Sequence, residues 1–140
     1  KVFSGVQKRC NNSNEPSFIN YGGRGIQCLW KSFGDFKEDM YLSYKSHVKK
    51  FGIKNTTIDR IDNNGNYCKE NCRWATLKQQ MRNMRTNRLV SFNKETHCVA
   101  EWAEKLNLSY SSLYLRLFRR KWPVGKAFGT PPMINQFNLR

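Results

Sequence analysis

Hydrophobic residues recur along the chain at changing spacings, and the changes divide it into elements. Val2, Phe3 and Val6 form one side of a loosely helical pattern whose other faces carry Lys8 and Arg9, and the pattern stops at Asn11-Asn12-Ser13-Asn14. From Trp30 to Lys50 apolar side chains return every three or four residues, at Trp30, Phe33, Phe36, Met40 and Tyr44. This predicts a helix with one buried stripe, ended by Gly52. His47, beside Lys45, Lys49 and Lys50, is expected on its solvated face. Ile58 and Ile61 then bracket Asp59 and Arg60, Asn63-Asn64-Gly65-Asn66 offers residues that tolerate φ > 0, and a second strand is expected near Cys72 to Ala75. Leu77 to Arg88 lacks alternation and is rich in helix formers, so Arg82, Arg85 and Arg88, three apart, would make one helical face positive. A strand-strand-helix unit of about thirty residues is too small to bury its own core, and would need the Trp30 helix as a lid.

Beyond Val90 the pattern shifts again. Val99, Trp102, Ala103, Leu106 and Leu108, followed by Leu113, Leu115, Leu117 and Phe118, predict two short helices around Asn107-Leu108-Ser109, with Ser109 capping the second. Such a helix-turn-helix would present Tyr110, Ser112, Tyr114, Arg116, Arg119 and Arg120 from its second helix, side chains able to reach base edges and phosphates. Trp122 to Phe128, with Pro123 in its first turn, predicts a closing third helix. The expected fold class is α+β: a lobe at 1–88 whose ββα core covers about 57–88, a small all-α lobe at 89–130, and a tail at 131–140.

Charge narrows the range of partners. The 140 residues include 25 Lys and Arg against 10 Asp and Glu, a formal charge of +15 that favours polyanions, nucleic acid first. Membrane association is not expected, because no run of about 18 apolar residues occurs and the basic residues are interleaved with Asn, Gln and Trp. Five cysteines without paired CxxC spacing point to reduced thiols in a cytosolic protein. Structural zinc on Cys68 and Cys72 would need two further ligands, with only His47 and His97 to add imidazoles, and is not expected. Tyr21-Gly22-Gly23-Arg24-Gly25-Ile26 is either a tight turn or a phosphate-contacting turn from which Arg24 reaches outward.

The DRID sequence at 59–62, the NGNY turn at 64–67, the ENCRWAT strand at 70–76 and the Gln-rich helix after it together resemble an HNH-type ββα-metal endonuclease. The resemblance is to the degenerate kind found in bacteriophage genomes, related to phage homing endonucleases. It covers residues 18–88, and Lys94 to Phe128 resembles the helix-turn-helix region often appended to such proteins. It implies a DNA endonuclease that nicks or cleaves duplex DNA with Mg²⁺ or Mn²⁺ in the cytoplasm of a bacterial host, encoded by a phage, with oligomeric state open. Asp59 matches the metal-binding acid, Asn71 the Asn that braces the loop, and Gln80 the helix-borne ligand, with Asn83 one turn further on.

Arg60 stands where the family places its His base. A guanidinium stays protonated, so it cannot readily accept a proton from water, though it could hold a phosphate bidentately. In its stead Tyr67 could attack directly if its phenol were acidified, or Asp62 could accept a proton from water. The departure leaves a second reading, a sequence-specific DNA-binding protein that retains the hairpin without the chemistry. A basic RNA- or ribosome-associated protein is a third.

Overall fold

A computed structural model describes residues 1–132. The chain divides into two compact units, Lys1–Arg85 and Thr86–Arg140. Both mix helix with a small antiparallel sheet, and the fold is α+β.

In the first unit, α1 (Val2–Asn11) and α2 (Phe33–Phe51) enclose an antiparallel pair, β1 (Thr57–Arg60) and β2 (Cys72–Ala75), followed by the short α3 (Leu77–Arg82). Ser32 starts α2 with a capping box: its hydroxyl accepts from Asp35 N at 3.1 Å while the Asp35 carboxylate accepts from Ser32 N at 2.9 Å. Trp30 therefore lies just outside the helix, its indole donating to Asp39 Oδ2 at 2.9 Å. Phe36 and Met40 form the buried stripe, which packs with Phe3, Val6, Ile26, Trp30, Ile58, Tyr67 and Trp74. The Trp74 indole is satisfied by the Met40 carbonyl at 2.9 Å. Phe33, expected in the stripe, is largely exposed.

His47 departs from the solvated face. Its Nδ1 lies 2.8 Å from Thr56 Oγ1, and its buried Nε2 has no hydrogen-bond partner. The 63–66 turn needs no left-handed residue, since positive φ occurs only at Gly25, Gly52, Asn93, Lys94, Asn107 and Lys121 among the described residues. Gly65 is small for a different reason: a Cβ there would stand 2.6 Å from Asn71 Nδ2.

Helix α3 stops six residues short of the expected end. At the stop, the Asn83 side chain turns to oxygens of β1 and the residue after it. The expected face of Arg82, Arg85 and Arg88 is therefore not formed: Arg82 ends the helix, Arg85 lies in a turn and donates to Asn20 Oδ1 at 3.3 Å, and Arg88 belongs to the second unit.

That second unit is not all-α. A hairpin of β3 (Leu89–Phe92) and β4 (Glu95–Cys98) precedes α4 (Val99–Lys105). Asn93 and Lys94, with φ of 48° and 65°, make its two-residue turn, the left-handed pair that matches strand twist. Helix α5 (Tyr110–Tyr114) is capped by Ser109 and runs into a wider turn at Leu115–Arg119, and α6 (Val124–Gly129) closes the unit. Val90, Val99, Trp102, Ala103, Leu108, Leu113, Ala127 and Phe128 form the core. Residues 133–140 of the expected tail lie outside the described residues. Among those described, no helix is long and apolar enough to cross a membrane.

Candidate functional site

Strand register sets out the first unit's polar centre. Asp59 pairs across the hairpin with Arg73, and both Nε and Nη2 of Arg73 lie 3.1 Å from Asp59 Oδ2. Arg60 follows on the face it shares with Ile58 and is as buried as Asp59, each 6% exposed. Its Nη1 donates to Gly65 O at 2.8 Å, and its guanidinium lies 5.0 Å from the Tyr21 ring centre and 4.9 Å from that of Tyr67.

Between β1 and β2 the loop is held by Asn71. Its Oδ1 accepts from Asp62 N at 2.8 Å, and its Nδ2 donates to Asp62 O at 3.0 Å and Asn66 O at 2.9 Å. A second clasp comes from residues 26–30: Tyr67 N donates to Gln27 O and Leu29 N donates to Tyr67 O, at 2.8 and 2.9 Å. Arg24 does not reach outward. Its guanidinium donates to Asn64 Oδ1 at 2.6 Å and to the carbonyls of Asn20 and Asn63, tying the glycine turn to the loop.

The cleft beside this loop has a volume of about 290 Å³. Asp59, Arg60, Asn63, Tyr67, Gln80 and Asn83 contribute to its walls, together with Arg9 and Tyr21. Asp59 and Asn83 therefore meet. Asn83 Nδ2 lies 2.6 Å from Arg60 O, 3.2 and 3.5 Å from the two Asp59 carboxylate oxygens, and 3.4 Å from Ile61 O. An amide NH₂ has only two hydrogens to serve those oxygens. Gln80 lines the same cleft but donates to Ile58 O at 3.2 Å, and Asn63 donates to the Asn83 carbonyl.

An oxygen-rich point of this kind suits a hard dication such as Mg²⁺, which binds carboxylate and carbonyl oxygens and retains several waters. Asp59 is the carboxylate at that point, and Arg73 competes for it. Among the described residues, no three His, Cys, Asp or Glu side chains come together, so a cation here would lean on amide and backbone oxygens.

Two expected chemical roles fail. Tyr67 is buried, and burial pushes its phenol well above the ordinary value, against the lowering pull of Arg9 and Arg60. It is therefore a neutral hydrogen-bonding group and not an acidified nucleophile. Asp62 is exposed on the loop, accepts from Asn64 N at 2.8 Å, and is not among the side chains lining the cleft.

In the second unit, Tyr110 is exposed and stacks at 5.9 Å on Tyr114, which is half-buried. Arg88 sits over the rings of Tyr114 and Phe118, at 5.6 and 4.7 Å. Ser112 is half-buried and accepts from the Ser109 hydroxyl, while Arg119 and Arg120 are exposed. Arg116 overturns its expected role. It is buried, and its guanidinium donates to the carbonyls of Ala127, Thr130 and Pro131. Its position three residues after the fully buried Leu113 places it on the inner helical face.

Sequence reasoning passed over Arg9, Tyr21, Asn63 and Arg73 as site residues. For Arg73 a signal existed, since pairing β1 with β2 in register sets a basic residue opposite Asp59. Arg9 had none, because the loop and α2 separate it from the hairpin in sequence. No protein-family model matches the chain, and no curated protein or solved structure matches it.

Proposed function

We propose that the first unit is a phosphodiester-cleaving centre of the HNH ββα-metal type, acting on duplex DNA, with the second unit as its DNA-binding partner. The observation that carries this reading is the meeting of Asp59 from β1 with Asn83 from the end of α3, in a cleft that also holds Arg60. Hydrolysis adds a water oxygen to phosphorus and breaks the bond to a sugar oxygen, which leaves with a proton. Mg²⁺ or Mn²⁺, when bound, supplies the charge that acidifies water and steadies the leaving oxygen. Asp59 and the backbone carbonyl oxygens of Arg60 and Ile61, which the Asn83 amide serves, would hold it once that amide turned its oxygen toward the site. Arg60 offers its guanidinium to non-bridging phosphate oxygens, and the neutral Tyr67 phenol is suited to donate a hydrogen bond beside it. Asn71 keeps the loop closed, so that Asp59 and Arg60 keep their aim.

A second reading, DNA binding without cleavage, is favoured by one specific observation. Burial raises the Tyr67 phenol and keeps it from serving as a base, and Asp62 does not line the cleft. Supercoiled plasmid incubated with the full chain separates the readings. Nicking in Mg²⁺ that disappears in EDTA and in Asp59→Ala supports the nuclease. Absence of metal-dependent nicking by the unaltered chain, with duplex still bound, overturns it in favour of the binder.

A further inference from the structure

We propose that Arg9 and Arg60 form one anion seat, built on the ring pair of Tyr21 and Tyr67, that takes a phosphate of the DNA backbone. The proposal deepens the reading above and rests on it only for the source of the phosphate.

Two guanidinium groups share the same two rings. Arg60 lies 5.0 and 4.9 Å from the centres of Tyr21 and Tyr67, Arg9 lies 5.1 and 5.5 Å from them, and the rings themselves stack at 6.1 Å. Ring faces attract a cation but do not neutralise it. Arg9 and Arg60 therefore place two like charges around one platform, with Arg60 taken almost wholly out of water. Asp59, the carboxylate in this cleft, is paired with Arg73. Among the described residues no second carboxylate lines the cleft, and a phosphate with its spread of oxygens suits two planar donor groups.

The seat is a built feature of the fold. Gly22 lets the turn carrying Tyr21 press on the end of α1, since a Cβ there would stand 2.1 Å from the Cys10 carbonyl oxygen. This contact fixes the Tyr21 ring beneath Arg9, one residue before Cys10. On α1, Arg9 is steadied by its Nε donating to Gly5 O at 3.2 Å. On the hairpin side, the Gln27–Tyr67–Leu29 hydrogen bonds fix the second ring. Asn63 and Asn83 add amides to the same cleft.

The full chain is studied in EDTA, so that metal plays no part. Its thermal midpoint is compared in inorganic phosphate and in chloride at equal ionic strength, and its affinity for a labelled duplex is measured over a salt series. The unaltered chain is expected to gain stability in phosphate. Arg9→Gln, which changes a half-buried helix residue and leaves the hairpin whole, is expected to lose that gain. It should also bind duplex about tenfold more weakly, with a salt slope smaller by about one. Lys49→Gln, an exposed charge on α2, should retain the phosphate response. Arg60→Lys is the second variant: it keeps the buried charge but not the fork, and should likewise lose most of the response.

Wild-type phosphate response and duplex affinity in Arg9→Gln would overturn the seat. Loss of the phosphate response with duplex affinity unchanged would overturn its assignment to a DNA phosphate and leave free phosphate as the ligand. Because every measurement is made without metal, failure of plasmid nicking leaves this result standing. Nicking by a protein indifferent to phosphate refutes the seat alone.

Discussion

Replacing Arg116 with Met tests the reassignment of that residue from DNA contact to support of the second unit. The methionine retains an unbranched apolar stem but removes three donated bonds, to the carbonyls of Ala127, Thr130 and Pro131. Ala127 is fully buried, so its carbonyl is left without a donor at a cost of about 2 kcal/mol. Thr130 and Pro131 are more open, and water can replace the guanidinium there, leaving about 0.5 kcal/mol each. Loss of the stacking on Trp122 adds about 0.5 kcal/mol. A destabilisation of about 3–4 kcal/mol follows, comparable to the whole stability of a unit this size, roughly 3–8 kcal/mol. Native-state hydrogen exchange of the full chain, followed at the amides of Trp102 and Leu113, reads this directly. Arg119→Gln and Arg120→Gln, both exposed, should alter that protection by less than about 0.5 kcal/mol. If Arg116→Met kept protection within about 1 kcal/mol of the unaltered chain while losing duplex affinity, the structural assignment of Arg116 would be refuted.

Asn71→Ala removes three bonds at the mouth of the loop and should cost about 2–4 kcal/mol in urea unfolding; a loss below about 1 kcal/mol would show that the clasp is dispensable. Gly65→Ala forces a Cβ to within 2.6 Å of Asn71 Nδ2 and should destabilise by about 1–3 kcal/mol, most of it absent in an Asn71→Ala background, which a double-mutant cycle measures. Alkaline pH should weaken the first unit. Burial pushes the Cys72 thiol up to about 12 and raises the Tyr67 phenol, so the folded state disfavours both anions. With folded values above unfolded ones, stability is complete below about pH 8.5 and falls as pH rises. Urea midpoints at pH 7 and pH 10 should differ, and by less in Cys72→Ala; equal shifts in both proteins would contradict the assignment to Cys72.

Much of the first unit was legible because its elements carry local signals. The three-to-four spacing of Phe33, Phe36, Met40 and Tyr44 marked α2, and isoleucines flanking a polar pair marked β1. The bracing role of Asn71 came from the resemblance and not from any local pattern, and its side chain bonds Asp62 and Asn66. Three features depended on contacts that no local pattern encodes. Helix α3 ends at Arg82 because Asn83 finds better partners on β1, although the residues after it favour helix. Arg24, in a stretch that fits a tight turn as well as a phosphate-contacting one, folds back to partners at Asn63 and Asn64, about 40 positions away. Arg9 joins the cleft by packing of α1. The β3–β4 hairpin was locally visible in the alternation of Val90 and Phe92 and in the Asn93-Lys94 turn, but the helical pattern after Val99 dominated the reading of that region. Arg116 likewise obeyed a visible period from Leu113, which its charge obscured.

The cleft is assembled from positions 9, 21, 59, 60, 67 and 83, nearly the full span of the first unit. Asn83 comes three residues before the boundary at Thr86 and supplies the amide that meets Asp59. No N-terminal fragment that stops before it contains the whole site, however well α1 and α2 have packed. During synthesis the chain therefore carries its arginines and its acid for most of the unit's length without the geometry that unites them, and the site closes only once Asn83 has joined them.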